Sequence, residues 1–202
     1  MTYYYAYLWD RGPVSRHNRF VLAVENVMTT SGQALLAVLT ESEEFAETAV
    51  SWYYGEGLFI LREWGMCRQI RSTFLRNISG KAPCGSMILL YKKQYFSYSN
   101  GQLSLSVFQN GESPNFTNHT GENCKFGKIK AGDSALLCSN SLFANMAPEV
   151  ILRKLNGAHQ SGQALEPEEK LQISFDEIKR RIRSRGGKEE IAAIFIQTDK
   201  RK

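Results

Sequence analysis

The sequence predicts a single α+β domain that is rich in antiparallel strands. Short runs in which apolar and polar residues alternate are separated by turn residues, and other segments carry apolar residues at helical spacing. No repeat and no long linker divides the chain, so we assign one domain to residues 1–199 and a short basic end to residues 200–202. At 202 residues, of which 43% are hydrophobic, the chain is long enough to bury a core without a disulfide or a metal.

The first part of the chain predicts three strands followed by helices. Strands are predicted at residues 3–9, 19–27 and 33–39, which turn residues separate. Thr40 and Glu43 form a T-x-x-E capping box, which predicts that a helix begins here with Thr40 as its N-cap. The apolar stripe of this helix is formed by Phe45, Ala49, Trp52 and Tyr53. After a Gly-Glu-Gly break at 55–57, residues 58–75 predict a second helix.

The rest of the chain predicts more strands and two further helices. Strands are predicted at 86–91, 94–98, 102–108, 124–129, 134–139 and 191–197, with a hairpin at the Asn-Gly turn. Residues 110–123 have the composition of a loop. One helix is predicted at 148–155 and another from Pro167. The apolar face of the second is formed by Leu171, Phe175, Ile178 and Ile182.

The basic run at 179–188 leaves two interpretations open. The chain carries 25 Lys and Arg against 20 Asp and Glu, a formal charge of +5. On an amphipathic helix, this run forms either a solvated face at the helix C-terminus or a surface for an anionic partner. The arginines concerned are Arg180, Arg181, Arg183 and Arg185. A mildly basic balance does not by itself indicate nucleic-acid binding, so we do not expect a nucleic-acid partner.

Several classes of protein are excluded by patterns that the sequence lacks. No stretch approaches the roughly 18 apolar residues of a membrane span, and the first residues do not form a signal peptide, so we expect no membrane contact and a cytoplasmic location. The four cysteines are widely spaced without a C-x-x-C pair, which argues against a zinc site and a disulfide framework. No G-x-S-x-G, Walker or dinucleotide-binding motif is present.

Sequence motifs along the chain suggest a family. The segment AGDSALLCSNSLF at 131–143 resembles the G-D-x-L-L-L-C-S-D-G-L motif of the metal-dependent serine/threonine protein phosphatases of type 2C, the PPM family. The opening AYLWDRGPVSRHNRFVLAV is similar to that family's first strand and its G-x-V-R-x-x-N-E-D turn, and ALLAVLTESEE to its V-x-D-G-M-G-G segment. GQLSLSVFQNG and GKEEIAAIFIQ follow in the places of G-D-S-R-x-x-x-x-R-N-G and the closing D-N-x-T strand. The resemblance implies two antiparallel sheets packed face to face between outer helices, an α-β-β-α sandwich.

The resemblance also implies a two-metal site at one edge of the sandwich, held mainly by aspartates. In this sequence the aspartate of N-E-D falls on Phe20 and the glutamate before it on Arg19. The bridging aspartate falls on Thr40, and the glycine whose carbonyl reaches the metal falls on Glu41. The aspartate of S-D-G falls on Asn140, and the final aspartate falls on Glu189. The phosphate-binding arginine falls on Ser15, beside Arg16.

This pattern implies a phosphatase-like fold without the phosphatase metal centre. Two divalent cations need several anionic oxygen ligands, and of the aspartate positions only Glu189 is acidic. We therefore expect a pseudophosphatase with no catalytic residues and no cofactor, which binds a protein partner such as a kinase or a phosphoprotein. Arg16 and Arg19 are the predicted phosphate contacts. The alternative is a divergent active phosphatase that uses Mg²⁺ or Mn²⁺, with Glu41, Glu43 or Glu44 replacing the missing ligands.

Overall fold

A computed structural model describes residues 1–13, 19–78, 85–101, 103–109, 123–157 and 165–199. In these ranges the strands are β1 (Tyr3–Asp10), β2 (Val21–Thr29), β3 (Gly32–Thr40), β4 (Gly85–Tyr91), β5 (Gln94–Asn100), β6 (Leu103–Phe108), β7 (Asn123–Lys128), β8 (Ser134–Ser139) and β9 (Ile191–Thr198). The helices are α1 (Glu43–Trp52), α2 (Leu58–Trp64), α3 (Arg68–Ile78), α4 (Asn140–Asn145), α5 (Pro148–Gly157) and α6 (Pro167–Ser184), with a π-helical turn at Tyr53–Gly57 between α1 and α2.

The described strands form two antiparallel sheets. One sheet has the order β1-β9-β8-β6 and the other the order β2-β3-β4-β5-β7. Alternate side chains of β3, β4, β8 and β9 meet between the sheets, where Leu35, Leu39, Ile88, Leu137 and Ile194 are fully buried. Because these strands are covered on both faces, they are almost continuously apolar. The predicted α-β-β-α sandwich is therefore confirmed.

Two further apolar clusters lie on the outer faces of the sheets. Helices α1 and α3 cover the β2-containing sheet, and α4, α5 and α6 cover the sheet that contains β9. The predicted stripe of α6, Leu171, Phe175, Ile178 and Ile182, is completely buried. Pro167 occupies the first turn of α6, and Glu166 and Glu169 form a capping box there. None of the helices in the described ranges combines the length and the apolarity that a membrane crossing requires.

The predicted cap of α1 is wrong. Thr40 is the last residue of β3, and its Oγ1 accepts a hydrogen bond from the backbone N–H of Ser42 at 3.0 Å. Ser42 is the N-cap, since its Oγ accepts from the N–H of Phe45 at 3.2 Å. The strand continues through Thr40, so the extended residue that a cap requires comes two positions later.

The predicted boundaries of the neighbouring helices also change. Gly57 keeps a helical φ of −60°, so the predicted break at 55–57 is a π-helical turn that continues the helix. Gly65 adopts a φ of 71°, which ends α2 and divides the predicted helix at 58–75 in two. The short helix α4 was not predicted. The loop predicted at 110–123 lies outside the described residues except for Asn123, which begins β7.

Candidate functional site

The register of the strands brings most of the predicted site positions to one end of the sandwich. In one sheet, β9 begins at Ile191 opposite Asp10, the last residue of β1. In the other sheet, β3 ends at Thr40 opposite Val21, the first residue of β2. Residues that flank these strand ends therefore lie near one another. The candidate site comprises Phe20, Thr40, Glu41, Asn140 and Glu190.

Glu190 is the buried acid of the candidate site. Its side chain is 7% exposed, and its Oε1 accepts a hydrogen bond from Trp9 Nε1 at 2.9 Å. The backbone N–H of Arg19 donates to both carboxylate oxygens, at 3.1 and 2.9 Å, and the N–H of Phe20 donates to Oε1 at 3.4 Å. The carboxylate thus accepts from donors on β1 and on the segment before β2. Its lone pairs are directed at protein N–H groups, where a metal ligand would direct them at a cation.

Glu189, the acid that the sequence predicts at this position, faces outward. Its side chain is exposed, and its backbone carbonyl accepts from Arg183 at 3.1 Å. Adjacent residues of an extended chain point to opposite sides, so a shift of one residue exchanges an inward for an outward side chain. Glu190 is therefore the acid that faces the candidate site, and the alignment of the family's final aspartate with Glu189 stays a prediction. The signal for Glu190 was its place directly before the buried run that begins at Ile191.

Arg19 forms an ion pair with Glu41, the second acid of the candidate site. Its guanidinium lies 2.8 Å from Glu41 Oε1, and its Cζ lies 5.7 Å from the ring centroid of Phe20. The side chains of Arg19 and Glu41 are 57% and 23% exposed, so this ion pair contributes little to stability. Its consequence is electrostatic: the charge of Glu41 is compensated within the chain. Arg16, the other predicted phosphate contact, lies outside the described residues.

The remaining site positions are neutral and already bonded. Phe20 is 8% exposed and packs in the apolar cluster between the sheets. Thr40 is fully buried, and its hydroxyl accepts from Ser42. Asn140 begins α4, and its Oδ1 accepts from Ser104 Oγ at 3.0 Å. These three side chains bring no negative charge to the site.

The side chains of the candidate site do not fit a pair of divalent cations. Such a pair requires several anionic oxygens with free lone pairs. Glu41 is paired with Arg19, and Glu190 is bonded to N–H donors. Glu43 and Glu44, named as substitute ligands, are exposed in the first turn of α1. Within the described ranges, no three His, Cys, Asp or Glu side chains come together as a metal-binding group.

The basic end of α6 lies beside this site, and one of its arginines points inward. Arg183 Nε donates to Asp10 Oδ2 at 2.6 Å, and the same guanidinium donates to the carbonyls of Gly187 and Glu189. Burial alone would raise the pKa of Asp10, but hydrogen bonds from Arg183 and Gly12 and nearby positive charge hold it below its ordinary value. The prediction of an exposed surface therefore fails for Arg183. Arg180, Arg181 and Arg185 are exposed as predicted.

Comparisons with known proteins identify the fold. The sequence has no significant match among protein-family models or curated proteins. The structure is similar to the catalytic domain of the serine/threonine phosphatase PstP solved with two manganese ions, at 16% identity and a TM-score of 0.65, covering 98% of this chain and 99% of that one. It is also similar to PstP/Ppp of Mycobacterium tuberculosis, at 15% identity and a TM-score of 0.64, with 98% and 100% covered.

A third similar structure is the PPM Ser-Thr phosphatase MsPP of Mycobacterium smegmatis in complex with cacodylate. The identity is 12%, the TM-score is 0.61, and 96% of this chain and 97% of that one are covered. The chain therefore has the PPM phosphatase fold over nearly its whole length. At these identities the likeness establishes the fold and carries no information about activity.

Proposed function

We propose that this chain is a catalytically inactive PPM-type phosphatase domain, a pseudophosphatase, that acts as a protein-binding or regulatory module. The observation that carries the proposal is the bonding of Glu190. The buried carboxylate at the candidate site accepts from the N–H groups of Arg19, Phe20 and Trp9, so its oxygens are engaged within the chain and are not free to bind a cation.

The energetics of recruiting a metal support this proposal. Two-metal hydrolysis of a phosphoester uses the cations to polarise the attacking water and to stabilise charge on the transferred phosphoryl group. Turning Glu190 toward a cation would leave buried N–H donors without an acceptor, at a cost of about 1–3 kcal/mol for each. Phe20 offers no ligand atom, and Arg19 would repel a cation that approaches Glu41. Binding of metal ions would therefore have to break hydrogen bonds and an ion pair that the site already makes.

The similarity of the whole fold to phosphatase structures supports a binding role. The sandwich and its outer helices match active phosphatases over nearly the full length, so the scaffold persists although the site chemistry differs. The proposed partner is a kinase or a phosphoprotein, whose phosphate group could pair with an arginine at the site. Arg16 and Arg19 remain the proposed phosphate contacts, and Arg19, which lies at the site, is exposed enough to exchange Glu41 for a phosphate.

The test is a manganese titration combined with a phosphatase assay. The whole chain is titrated with MnCl₂ by isothermal calorimetry and then incubated with Mn²⁺ and a phosphoserine peptide, with the PstP catalytic domain measured in parallel as the positive control. We expect no saturable heat in the micromolar range and no release of phosphate above the blank. A micromolar site together with manganese-dependent turnover would establish the alternative, a divergent active phosphatase.

Two variants separate intrinsic activity from contamination in that assay. Glu190→Gln removes the buried carboxylate, and Glu189→Gln removes the neighbouring exposed one. Turnover that belongs to this chain and uses the buried carboxylate as a metal ligand would be lost in the first variant and kept in the second. A contaminating phosphatase would act equally in both preparations.

A further inference from the structure

The C-terminal end of α6 carries several Lys and Arg side chains, of which two form ion pairs with Asp10. Residues 179–188 contain six Lys or Arg and no acidic residue. Lys179 and Arg183 are directed at Asp10, at 3.9 and 2.6 Å. The other four, Arg180, Arg181, Arg185 and Lys188, are exposed, and we refer to them as the α6 cluster. Arg180 lies close enough to Glu177 to help lower the pKa of that acid. Arg181, Arg185 and Lys188 take part in none of the ion pairs formed among the described residues.

The turn after α6 holds this cluster in a fixed arrangement. Gly186 adopts a φ of 85°, its N–H donates to the carbonyl of Arg183 at 3.0 Å, and the N–H of Gly187 donates to that of Ile182 at 3.1 Å. These are the two hydrogen bonds of a Schellman motif, which ends the helix in a defined geometry. A Cβ on Gly187 would lie 2.5 Å from Ile182 Cγ2, so the turn also packs tightly against the helix.

Arg183 fastens the same turn to the sandwich. Its guanidinium bridges Asp10 at the end of β1 and the carbonyls of Gly187 and Glu189. The backbone that carries the α6 cluster is therefore already ordered, so binding a ligand would cost little conformational entropy in the turn. Glu190 follows two residues after Lys188, which places the cluster at the same end of the sandwich as the candidate site.

We propose that the α6 cluster binds a phosphorylated segment of a protein partner. The charge of the cluster is complementary to phosphate, since three of its four side chains are arginines, whose planar guanidinium groups pair with phosphate through two parallel hydrogen bonds. A phosphate dianion would pair with arginines that form no ion pair of their own among the described residues. The inference deepens the proposed function and rests on it in one respect, since a domain without hydrolytic activity retains the phosphoryl group that it binds.

The surroundings of the cluster favour a short segment over a nucleic acid. Asp176 and Glu177 are exposed within about one helical turn on one side, and Glu189 is exposed directly after Lys188 on the other. A nucleic acid carries a charge at every nucleotide and would meet these carboxylates as it leaves the cluster. A single phosphate on a short peptide contacts the arginines and avoids the acids.

The experiment measures binding of a fluorescein-labelled phosphoserine peptide to the whole chain by fluorescence anisotropy, with the unphosphorylated peptide and a single-stranded DNA as further probes. The test variant is Arg181→Glu with Arg185→Glu. The matched control is Arg62→Glu with Arg68→Glu, which reverses two exposed arginines on α2 and α3. Circular dichroism checks that both variants are folded.

We expect the phosphopeptide to bind more tightly than its unphosphorylated form and to weaken between about 50 and 200 mM NaCl. The α6 variant should lose about tenfold or more in affinity, and the control should stay within about twofold of the unchanged chain. Absence of binding, equal binding of both peptides, equal loss in both variants, or tighter binding of the DNA than of the phosphopeptide would each overturn the inference.

Mass spectrometry of the recovered phosphopeptide separates the two proposals. Peptide that binds and is recovered intact after incubation with Mn²⁺ supports both of them. Peptide that binds and loses its phosphate contradicts the pseudophosphatase proposal and leaves the docking surface standing. Peptide that stays intact and does not bind removes the docking surface alone.

Discussion

Glu190 connects three parts of the chain that are far apart in sequence. It accepts from Trp9 on β1 and from the backbone before β2, while its own carbonyl accepts from Ser141 Oγ on α4 at 2.5 Å. Backbone amides are fixed in position, so a carboxylate bonded to them is held more firmly than one paired with a long flexible side chain. At the scale of the single residue, this acid is a structural cross-link.

The first prediction tests this cross-link. Glu190→Gln exchanges one acceptor oxygen for an NH₂ donor that faces the N–H groups of Arg19 and Phe20. We expect the free energy of unfolding, measured with urea, to fall by about 1–3 kcal/mol. Glu189→Gln serves as the control and should change it by less than about 0.5 kcal/mol, because that side chain is exposed. Equal effects of the two changes would show that Glu190 is not buried in the way described.

Helix α6 is held to the sandwich by its apolar stripe and by one charged contact. Ile178 and Ile182 are buried against the sheet that contains β9, and Arg183 reaches Asp10 on the edge strand β1. Asp10 also accepts from the N–H of Gly12 at 3.3 Å. At the scale of the element, this contact fixes the end of α6 and with it the position of the α6 cluster.

The second prediction concerns the pH dependence of that contact. In the folded chain the pKa of Asp10 is below its ordinary value, near 3.9 in an unfolded chain, so its contribution to stability is complete above that pH and is lost as the pH falls through the folded pKa. We expect Asp10→Asn to lower the free energy of unfolding by about 1–3 kcal/mol at pH 7. The difference from the unchanged chain should shrink below about pH 4.

Urea unfolding at several pH values provides the measurement, and Asp176→Asn provides the control. Asp176 is an exposed acid on the same helix, so its replacement should have little effect at any pH. A difference between Asp10→Asn and the unchanged chain that stays constant down to pH 3 would contradict the ion pair with Arg183.

The third prediction locates the cap of α1. Ser42→Ala removes the oxygen that accepts from the N–H of Phe45, and we expect the free energy of unfolding to fall by about 1 kcal/mol. Ser51→Ala is the matched control, because Ser51 is exposed near the end of the same helix, where alanine is a better helix former. No loss in Ser42→Ala would contradict the assignment of Ser42 as the cap of α1.

At the scale of the whole molecule, local periodicity made the architecture predictable. The strands and the apolar faces follow from periods of two and 3.6 residues, and the stripe from Leu171 to Ile182 is buried as expected. Details that depend on remote partners were not accessible in this way. Arg183 turns inward because of Asp10, which is 173 positions away. Glu190 faces inward and Glu189 outward, because the direction of each side chain depends on where β9 begins.

The similarity to the phosphatase fold could be predicted from the order of the motifs along the chain. The residues that occupy the metal-ligand positions could be predicted as well, but the hydrogen bonds that they make could not. The neutral residues at Phe20, Thr40 and Asn140 can be read directly from the aligned motifs. What the sequence could not reveal is that the remaining acids are already engaged, since hydrogen bonds to backbone N–H groups leave no pattern in the side chains. The chain therefore has the sandwich of the PPM phosphatases, and both acids of the candidate site are engaged by groups of the chain itself.

The most direct measurement is anomalous diffraction from crystals of the whole chain soaked in MnCl₂. We expect no manganese peak in contact with Glu190, Glu41 or Asn140, and a Glu190 carboxylate that remains on the N–H of Arg19. A manganese ion ligated by Glu190, with the N–H groups of Arg19 and Phe20 released from the carboxylate, would contradict the pseudophosphatase proposal.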